Sequence, residues 1–313
     1  VSETLPLVDA HHHVWNLGHR PQPWLEAPGH EPIRRDFGLD DLRAGATRTL
    51  AGRRLTSTVV VQCVASEDET RDLLALAAGS PLVGAVVGWT DLASPAIGDR
   101  LDALVEGPGG YFLRSVRHLV QDEADPVWLQ RPAVERGLAA VGDRGLAYDL
   151  LIRGHQLTQA VRLARRLPRL PLVLDHAGKP PLASGALTAW ARGIRRLAAH
   201  PQVMCKVSGL ITEADHDRWT VDDIRPVWDT LLNAFGPHRL MFGSDWPVCV
   251  LAGGWNRWAA TVEELLQDCS AAETSAILAG TATGCYRLAP ARGEDAVLLN
   301  GTGSPRRSHL KGP

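Results

Sequence analysis

The sequence predicts an α/β fold, an eight-stranded (β/α)8 TIM barrel, and two observations carry the prediction. Eight short apolar runs alternate with longer amphipathic stretches, and polar residues able to do chemistry gather at the C-terminal ends of those runs. Eight parallel strands joined by crossover helices are the number that closes a barrel, and barrel enzymes work at that end. An open doubly wound sheet is the competing arrangement. It loses ground because no G-x-G-x-x-G turn follows the first strand.

The expected strands are 5–10, 58–64, 82–88, 112–117, 147–152, 172–175, 203–207 and 240–243. Between them "ETRDLLALAAG", "RPAVERGLAAVGDRG", "QLTQAVRLARRLP" and "LTAWARGIRRLAAH" read as helices. In the third, Leu157, Val161 and Ala164 recur at helical spacing, and Pro168 ends the pattern. Residues 1–288 are expected to form a single barrel domain with a long loop after strand one, about 16–54, serving as a lid or substrate-contacting excursion. Residues 289–313, polar and rich in Gly and Pro, are expected to be a flexible tail.

Composition narrows the function. The chain has 313 residues, 45% of them hydrophobic, and a net charge of −2. That balance gives no basic footprint for nucleic acid and no attraction to an anionic membrane. No apolar run approaches the ~20 residues of a membrane span, and no secretory leader is visible. Five scattered cysteines without a C-x-x-C pair suggest reduced thiols and a cytoplasmic protein. A homo-oligomer is compatible with this composition. Only three basic residues are lysine, Lys179, Lys206 and Lys311. A lysine inside an ordered motif therefore stands out as a compact point donor that arginine does not mimic.

The first strand ends in "VDAHHHVW". Alternation puts His11 and His13 on one face and His12 away from it. Two imidazoles two residues apart can converge on one metal ion or one substrate oxygen; three histidines are too few for an affinity tag. Strand two runs into Gln62, Arg117 and His118 end strand four, and His155 follows strand five. Asp175 and His176 end strand six, which runs on to Lys179, and Asp245 follows strand eight in "FGSDW".

Taken together, "VDAHHHVW", "RPQPWL", "SVRHLVQDE", "LVLDHAGKP", "CKVSGLITEAD" and "RLMFGSDWPVC" resemble the amidohydrolase superfamily over roughly residues 5–288. Within it they are similar to the branch of sugar-lactone hydrolases of the L-fuconolactonase and L-rhamnono-γ-lactonase type. The resemblance implies a distorted barrel of amidohydrolase type, with an H-x-H on strand one, histidines after strands five and six, and an aspartate after strand eight. These positions fall on His11 and His13, on His155 and His176, and on Asp245. Binuclear members carry a modified lysine or a glutamate at the end of strand four, where this chain reads "FLRSVRHL". At most one divalent ion, zinc first, is therefore expected on His11, His13, His176 and Asp245, and metal-independent operation stays open.

The implied reaction is the opening of a sugar-acid lactone, a small molecule, by water. Asp245 is the expected general base, with His11, His13 and His176 polarising the carbonyl directly or through the ion. Arg117, His118, Lys179, Gln62 and His155 are expected to contact substrate. Arg117, His118 and Lys179 would serve as well in an ion-pair network at the barrel mouth. Trp24 and Trp246 could stack on a sugar face or simply fill the core. Lys206, on strand seven, faces either the barrel or the helix layer and ranks behind Lys179. Two other readings remain: a zinc-dependent decarboxylase of a small unsaturated or aromatic acid, and a non-catalytic carbohydrate-binding barrel. The second should lack a catalytic member, and none of Asp245, His11 and His13 is missing.

Overall fold

Strands β1 (Pro6–His12), β2 (Arg54–Val61), β3 (Val83–Gly88), β4 (Leu113–His118), β5 (Ala147–Leu150), β6 (Leu172–Leu174), β7 (Val203–Val207) and β8 (Leu240–Phe242) form one parallel sheet in sequence order. They come from a computed structural model that describes residues 5–288, so the expected tail at 289–313 lies outside the described residues. Helix α1 (Leu39–Gly45) sits in the excursion after β1. The helices α2 (Glu67–Gly79), α3 (Ile97–Val105), α4 (Pro132–Asp143), α5 (Leu157–Arg166), α6 (Leu187–Ala198) and α7 (Val221–Phe235) make the crossovers, and α8 (Gly254–Leu265) follows β8. Helix α5 buries Leu157, Ala160, Leu163 and Ala164, with Val161 at the edge of that face. β5 and β6 end earlier than their apolar runs because the chain leaves the sheet for the turns that carry the site.

Strand residues sort into two layers. Leu7, Val60, Val83 and Val86 pack outward against helix residues such as Leu73, Leu74 and Leu101. Val8, Ala10, Val59, Val61, Ala85, Val87, Val173 and Met241 pack inward. Ala279, Ala282 and Tyr286, from a π-helical turn (Ala276–Gly280) and the helix after it (Thr281–Tyr286), complete that inner cluster. A Cβ on Gly84, near the start of β3, would touch Leu288. The chain's last described turns therefore form a floor across the N-terminal end of the barrel.

A bulge in β1 decides which histidines face inward. Asp9 pairs with Thr58 and His12 with Val60, so three steps of β1 span two of β2. The extra residue resets the alternation: Ala10 and His11 both turn to the interior, and His12 turns outward to Thr58 Oγ1 at 3.0 Å.

The barrel closes between β1 and the segment after β8. Asp245 N donates to His11 O at 2.8 Å, and His13 N donates to Trp246 O at 2.6 Å. The buried Asp9 carboxylate accepts from Ser244 N, His11 N and Trp255 Nε1 at 2.8, 3.2 and 3.2 Å. Burial raises its pKa to about 6 against these hydrogen bonds.

An aromatic ladder pins the excursion to this seam. Trp24 meets Trp15 edge-on at 5.4 Å, Trp15 meets Phe37 at 5.5 Å, and Phe37 meets Trp246 at 5.3 Å. Among the described residues no helix is long and apolar enough to cross a membrane.

Tyr286 ties the floor to the interior by donating its hydroxyl to Asp149 Oδ2 at 2.9 Å. Tyr286→Phe keeps the packing and removes that bond to a buried carboxylate. We expect it to lower stability by about 1–3 kcal/mol, read from urea unfolding at pH 7; unchanged stability would show the tie to be idle.

Candidate active site

The C-terminal mouth of the barrel gathers His11, His13, His176 and Asp245. Asp245 Oδ1 lies 3.5 Å from His13 Nε2, 3.7 Å from His11 Nε2 and 3.9 Å from His176 Nε2. Each of the four is at least nine-tenths buried. Behind them the rings are held in place: His13 Nδ1 donates to Val61 O at 2.7 Å, and His176 Nδ1 lies 2.9 Å from Ser208 Oγ.

Backbone strain is concentrated here. Six non-glycine residues among those described have positive φ, and four of them are His176, Ala177, Lys179 and Asp245. Each such residue costs on the order of 1–2 kcal/mol, and strain of this kind marks sites where a side chain must be aimed. The left-handed run after β6 turns His176 back over the barrel and sends Lys179 to its rim. Trp190 Nε1 steadies it by donating to Ala177 O at 2.8 Å. Gly209, at φ +60°, supplies the space: a Cβ there would sit 2.5 Å from His176 Nδ1 and 3.0 Å from Asp245 Oδ2.

Under this cluster runs a buried charge network. Lys206 Nζ lies 2.6 Å from Asp149 Oδ2, 3.0 Å from Asp175 Oδ1 and 3.2 Å from His11 Nδ1. Arg117 donates to Asp175 Oδ2 at 3.0 Å, and its Nη1 is 3.5 Å from His11 Nε2. Lys206 thus faces the barrel interior. Burial works against its charge, but Asp149 and Asp175 outweigh burial and raise its pKa.

Protonation follows from the surroundings. Burial holds His11 well below the usual imidazole range, His12 near 3 and His176 near 4, so all three are neutral at pH 7. Burial would raise Asp245, but its neighbours His176, His13 and His11 prevail and keep it an ionised carboxylate.

Above the cluster opens a cavity of about 510 Å3, lined by His13, His176, Asp245, Arg117, Lys179 and Trp24 among others. His30, Arg153, Gln121, Asp122 and Glu213 also line it and were not anticipated; Lys179 Nζ lies 3.5 Å from Glu213 Oε1.

Four expected substrate contacts stand elsewhere. Gln62 is fully buried beside Arg117, its Nε2 donating to Arg117 O at 3.1 Å while Arg117 donates to Gln62 O. His118 points outward because it follows the inward-facing Arg117. Its Nδ1 accepts from Trp89 Nε1 at 3.0 Å, its Nε2 meets Glu123 at 2.7 Å, and its ring stacks on Trp128 at 4.0 Å. His155 is exposed in a turn before α5, outside the cavity lining. Trp246 is buried as the last rung of the aromatic ladder.

The donors suit one small cation. Ligands about 2.0–2.1 Å from a tetrahedral ion stand about 3.3–3.4 Å apart. Here His11 Nε2 and His13 Nε2 are 3.2 Å apart, and Asp245 Oδ1 completes the set at 3.5–3.7 Å.

Barrels that set neutral imidazoles and an ionised carboxylate at this mouth form a class of hydrolases able to use a divalent ion, and this chain has that architecture. It belongs to the amidohydrolase family, whose sequence model matches residues 8–288. An L-fucono-1,5-lactonase of Burkholderia multivorans is 40% identical over 292 residues, spanning 90% of this chain and 96% of the relative. An L-fucono-1,5-lactonase of Burkholderia ambifaria is 37% identical, spanning 90% and 95%. The crystal structure of an amidohydrolase from Burkholderia multivorans with bound zinc matches with a TM-score of 0.83 at 40% identity, covering 90% of this chain and 99% of that one.

The neutral buried histidines make stability depend on pH. Below about pH 6.5 the unfolded chain protonates His11, His12 and His176 while the native protein does not, so stability falls as pH falls, by about 1.4 kcal/mol per pH unit for each. Asp9 acts oppositely, because below about pH 6 the native state takes up its proton first. The raised acids Glu69 and Asp149 act with Asp9, and the lowered His118 acts with the other histidines, so four imidazoles against three acids leave a net loss. Urea unfolding of metal-free protein should give lower stability at pH 5 than at pH 7; equal or greater stability at pH 5 would contradict the buried neutral state.

Proposed function

We propose that this protein is a hydrolase that opens a sugar-acid (aldono-) lactone. The observation that carries the reading is the ionised Asp245, faced by three imidazoles at the bottom of an open cavity with mixed polar walls. The relatives named L-fucono-1,5-lactonase support it.

A lactone is a cyclic ester, so its opening needs an activated water and stabilisation of the charge that develops on the carbonyl oxygen. Asp245 takes the proton from water, and the seam hydrogen bond at its own backbone N–H holds it in place. His13 and Arg117 line the cavity beside Asp245, where the carbonyl oxygen would lie, with His11 behind them and the guanidinium as a fixed positive charge. His176, backed by Ser208, faces the same carboxylate oxygen at 3.9 Å. Lys179, Arg153, Gln121, Asp122 and Glu213 offer donors and acceptors in alternation, which suits a ring carrying several hydroxyls. Trp24 and His30, brought over the cavity by the excursion, give it an aromatic wall.

One divalent ion, zinc by its fit to nitrogen and carboxylate donors, would be held by His11, His13 and Asp245, with His176 Nε2 beside them at 3.9 Å from the carboxylate. When bound it supplies positive charge that polarises a carbonyl and makes water more acidic. All five cysteines are free in the structure, which supports a reducing compartment such as the cytoplasm.

The test is acid release from a panel of aldonolactones, each followed against its spontaneous hydrolysis. Acceleration of a subset is expected, with the preferred hydroxyl stereochemistry defining the substrate. Asp245→Asn should lower kcat by at least about a hundredfold with the circular dichroism spectrum intact. A panel that stays at the spontaneous rate would overturn the reading and bring decarboxylation forward.

A further inference from the structure

The network beneath the site contains a competition that the proposed reaction does not use. His11 Nδ1 has two neighbours, the Lys206 ammonium at 3.2 Å and Asp175 Oδ1 at 3.3 Å. They ask for opposite tautomers. An ammonium has only donors, so Nδ1 must offer it a lone pair and the ring proton must sit on Nε2. A carboxylate asks for a proton on Nδ1, which leaves the lone pair on Nε2. The geometry favours Lys206: its hydrogen bond to Nδ1 is formed, whereas Asp175 Oδ1 has no aligned hydrogen-bond partner. On the other side of the ring Arg117 Nη1, 3.5 Å from Nε2, asks for the opposite tautomer, but the shorter contact there agrees with Lys206. His13 Nδ1 donates to Val61 O, so His13 Nε2 presents a lone pair, and it lies 3.2 Å from His11 Nε2. Lys206, His11, His13 and Val61 thus form one run of hydrogen bonds pointing the same way.

From this juxtaposition we infer that Lys206 is a positioning residue that holds the His11 proton on Nε2, towards His13 Nε2, and thereby weakens the site's hold on a divalent ion. For His11 to become a ligand, its proton must move from Nε2 to Nδ1, where Asp175 receives it, and Lys206 must give up its bond. The ammonium also stands as a fixed positive charge directly behind a ligand, anchored by Asp149 and Asp175. In the form that Lys206 favours, the two Nε2 nitrogens are engaged with each other, and neither is free to take up an ion. Lys206 therefore sets how strongly this metal-free run of hydrogen bonds competes with metal binding.

Zinc affinity of the metal-stripped protein, measured by competition with a chromogenic chelator, reads this without any lactone. Lys206→Met combined with Asp149→Asn removes the ammonium without leaving its partner's charge unpaired. Zinc should bind this variant at least roughly tenfold more tightly than the parent, the scale on which groups behind a ligand act. Equal or weaker binding in a folded variant overturns the inference. A second measurement needs only the unaltered protein: 15N spectra of histidine-labelled, metal-free material, with His11 assigned by its loss in His11→Gln. The proton is expected on Nε2, moving to Nδ1 when zinc is added; a proton already on Nδ1 without zinc overturns the inference. Neither readout involves turnover, so failure here leaves the hydrolase reading to the lactone panel.

Discussion

Two backbone hydrogen bonds across the seam between β1 and the segment after β8 organise the rest of the molecule. They join His11 to Asp245 and His13 to Trp246, so the bonds that shut the barrel also fix the imidazoles relative to the carboxylate. A loop could carry the same side chains but would let them wander; here each sits on backbone committed to closure. Asp9 strengthens the arrangement from the outer side by tying β1 to Ser244 and Trp255 with one carboxylate. The price is a buried acid, which three hydrogen bonds and a raised pKa make tolerable.

The interior departs from the usual barrel, in which layers of branched apolar side chains fill the middle. Apolar packing here occupies the lower part, and the middle is given to Asp149, Lys206, Asp175 and Arg117. Isolated charges at such depth would cost several kcal/mol each, and pairing recovers that only when the geometry is good. Two carboxylates and two cations balance, with contacts of 2.6–3.0 Å. This layer adds little net stability. What it provides is a rigid bed with fixed polarity under His11, so the site does not reorganise its own dipoles during reaction.

Much of this was readable from the chain alone, and the rest was hidden for identifiable reasons. The eight strands stood out because apolar runs alternate with helical ones, and His11, His13, His176 and Asp245 because they lie where barrel strands end. The phase of a strand was harder to read. In "VDAHHH" the inward pair Val8 and Ala10 points to His12 as the next inward residue, and only the bulge hands that role to His11 and His13. His118 next to Arg117 met the same difficulty: one of two adjacent strand-end residues must face out, and sequence does not say which. Asp149 and Lys206 went without a role because each stands alone in an apolar strand. Yet a lone acid in "AYDLL" and a lone lysine in "VMCKV" carry opposite signs, and two buried charges of opposite sign in one barrel have reason to meet. His30, Arg153 and Gln121 lie on connections, whose path over the mouth depends on contacts such as the aromatic ladder that no local pattern encodes.

The floor made by Ala279, Ala282 and Tyr286 bears on how the chain matures. Synthesis runs from the N-terminus, so β1 to β8 emerge before the segment that covers the open lower end of their barrel. Until then Val8, Val59, Ala85 and Met241 lack their cover, and Asp149 lacks the Tyr286 hydroxyl. A nascent chain held at that stage exposes an apolar, partly charged opening of the kind chaperones protect. The last described turns seal that end and bring the Tyr286 hydroxyl to Asp149, beneath the site.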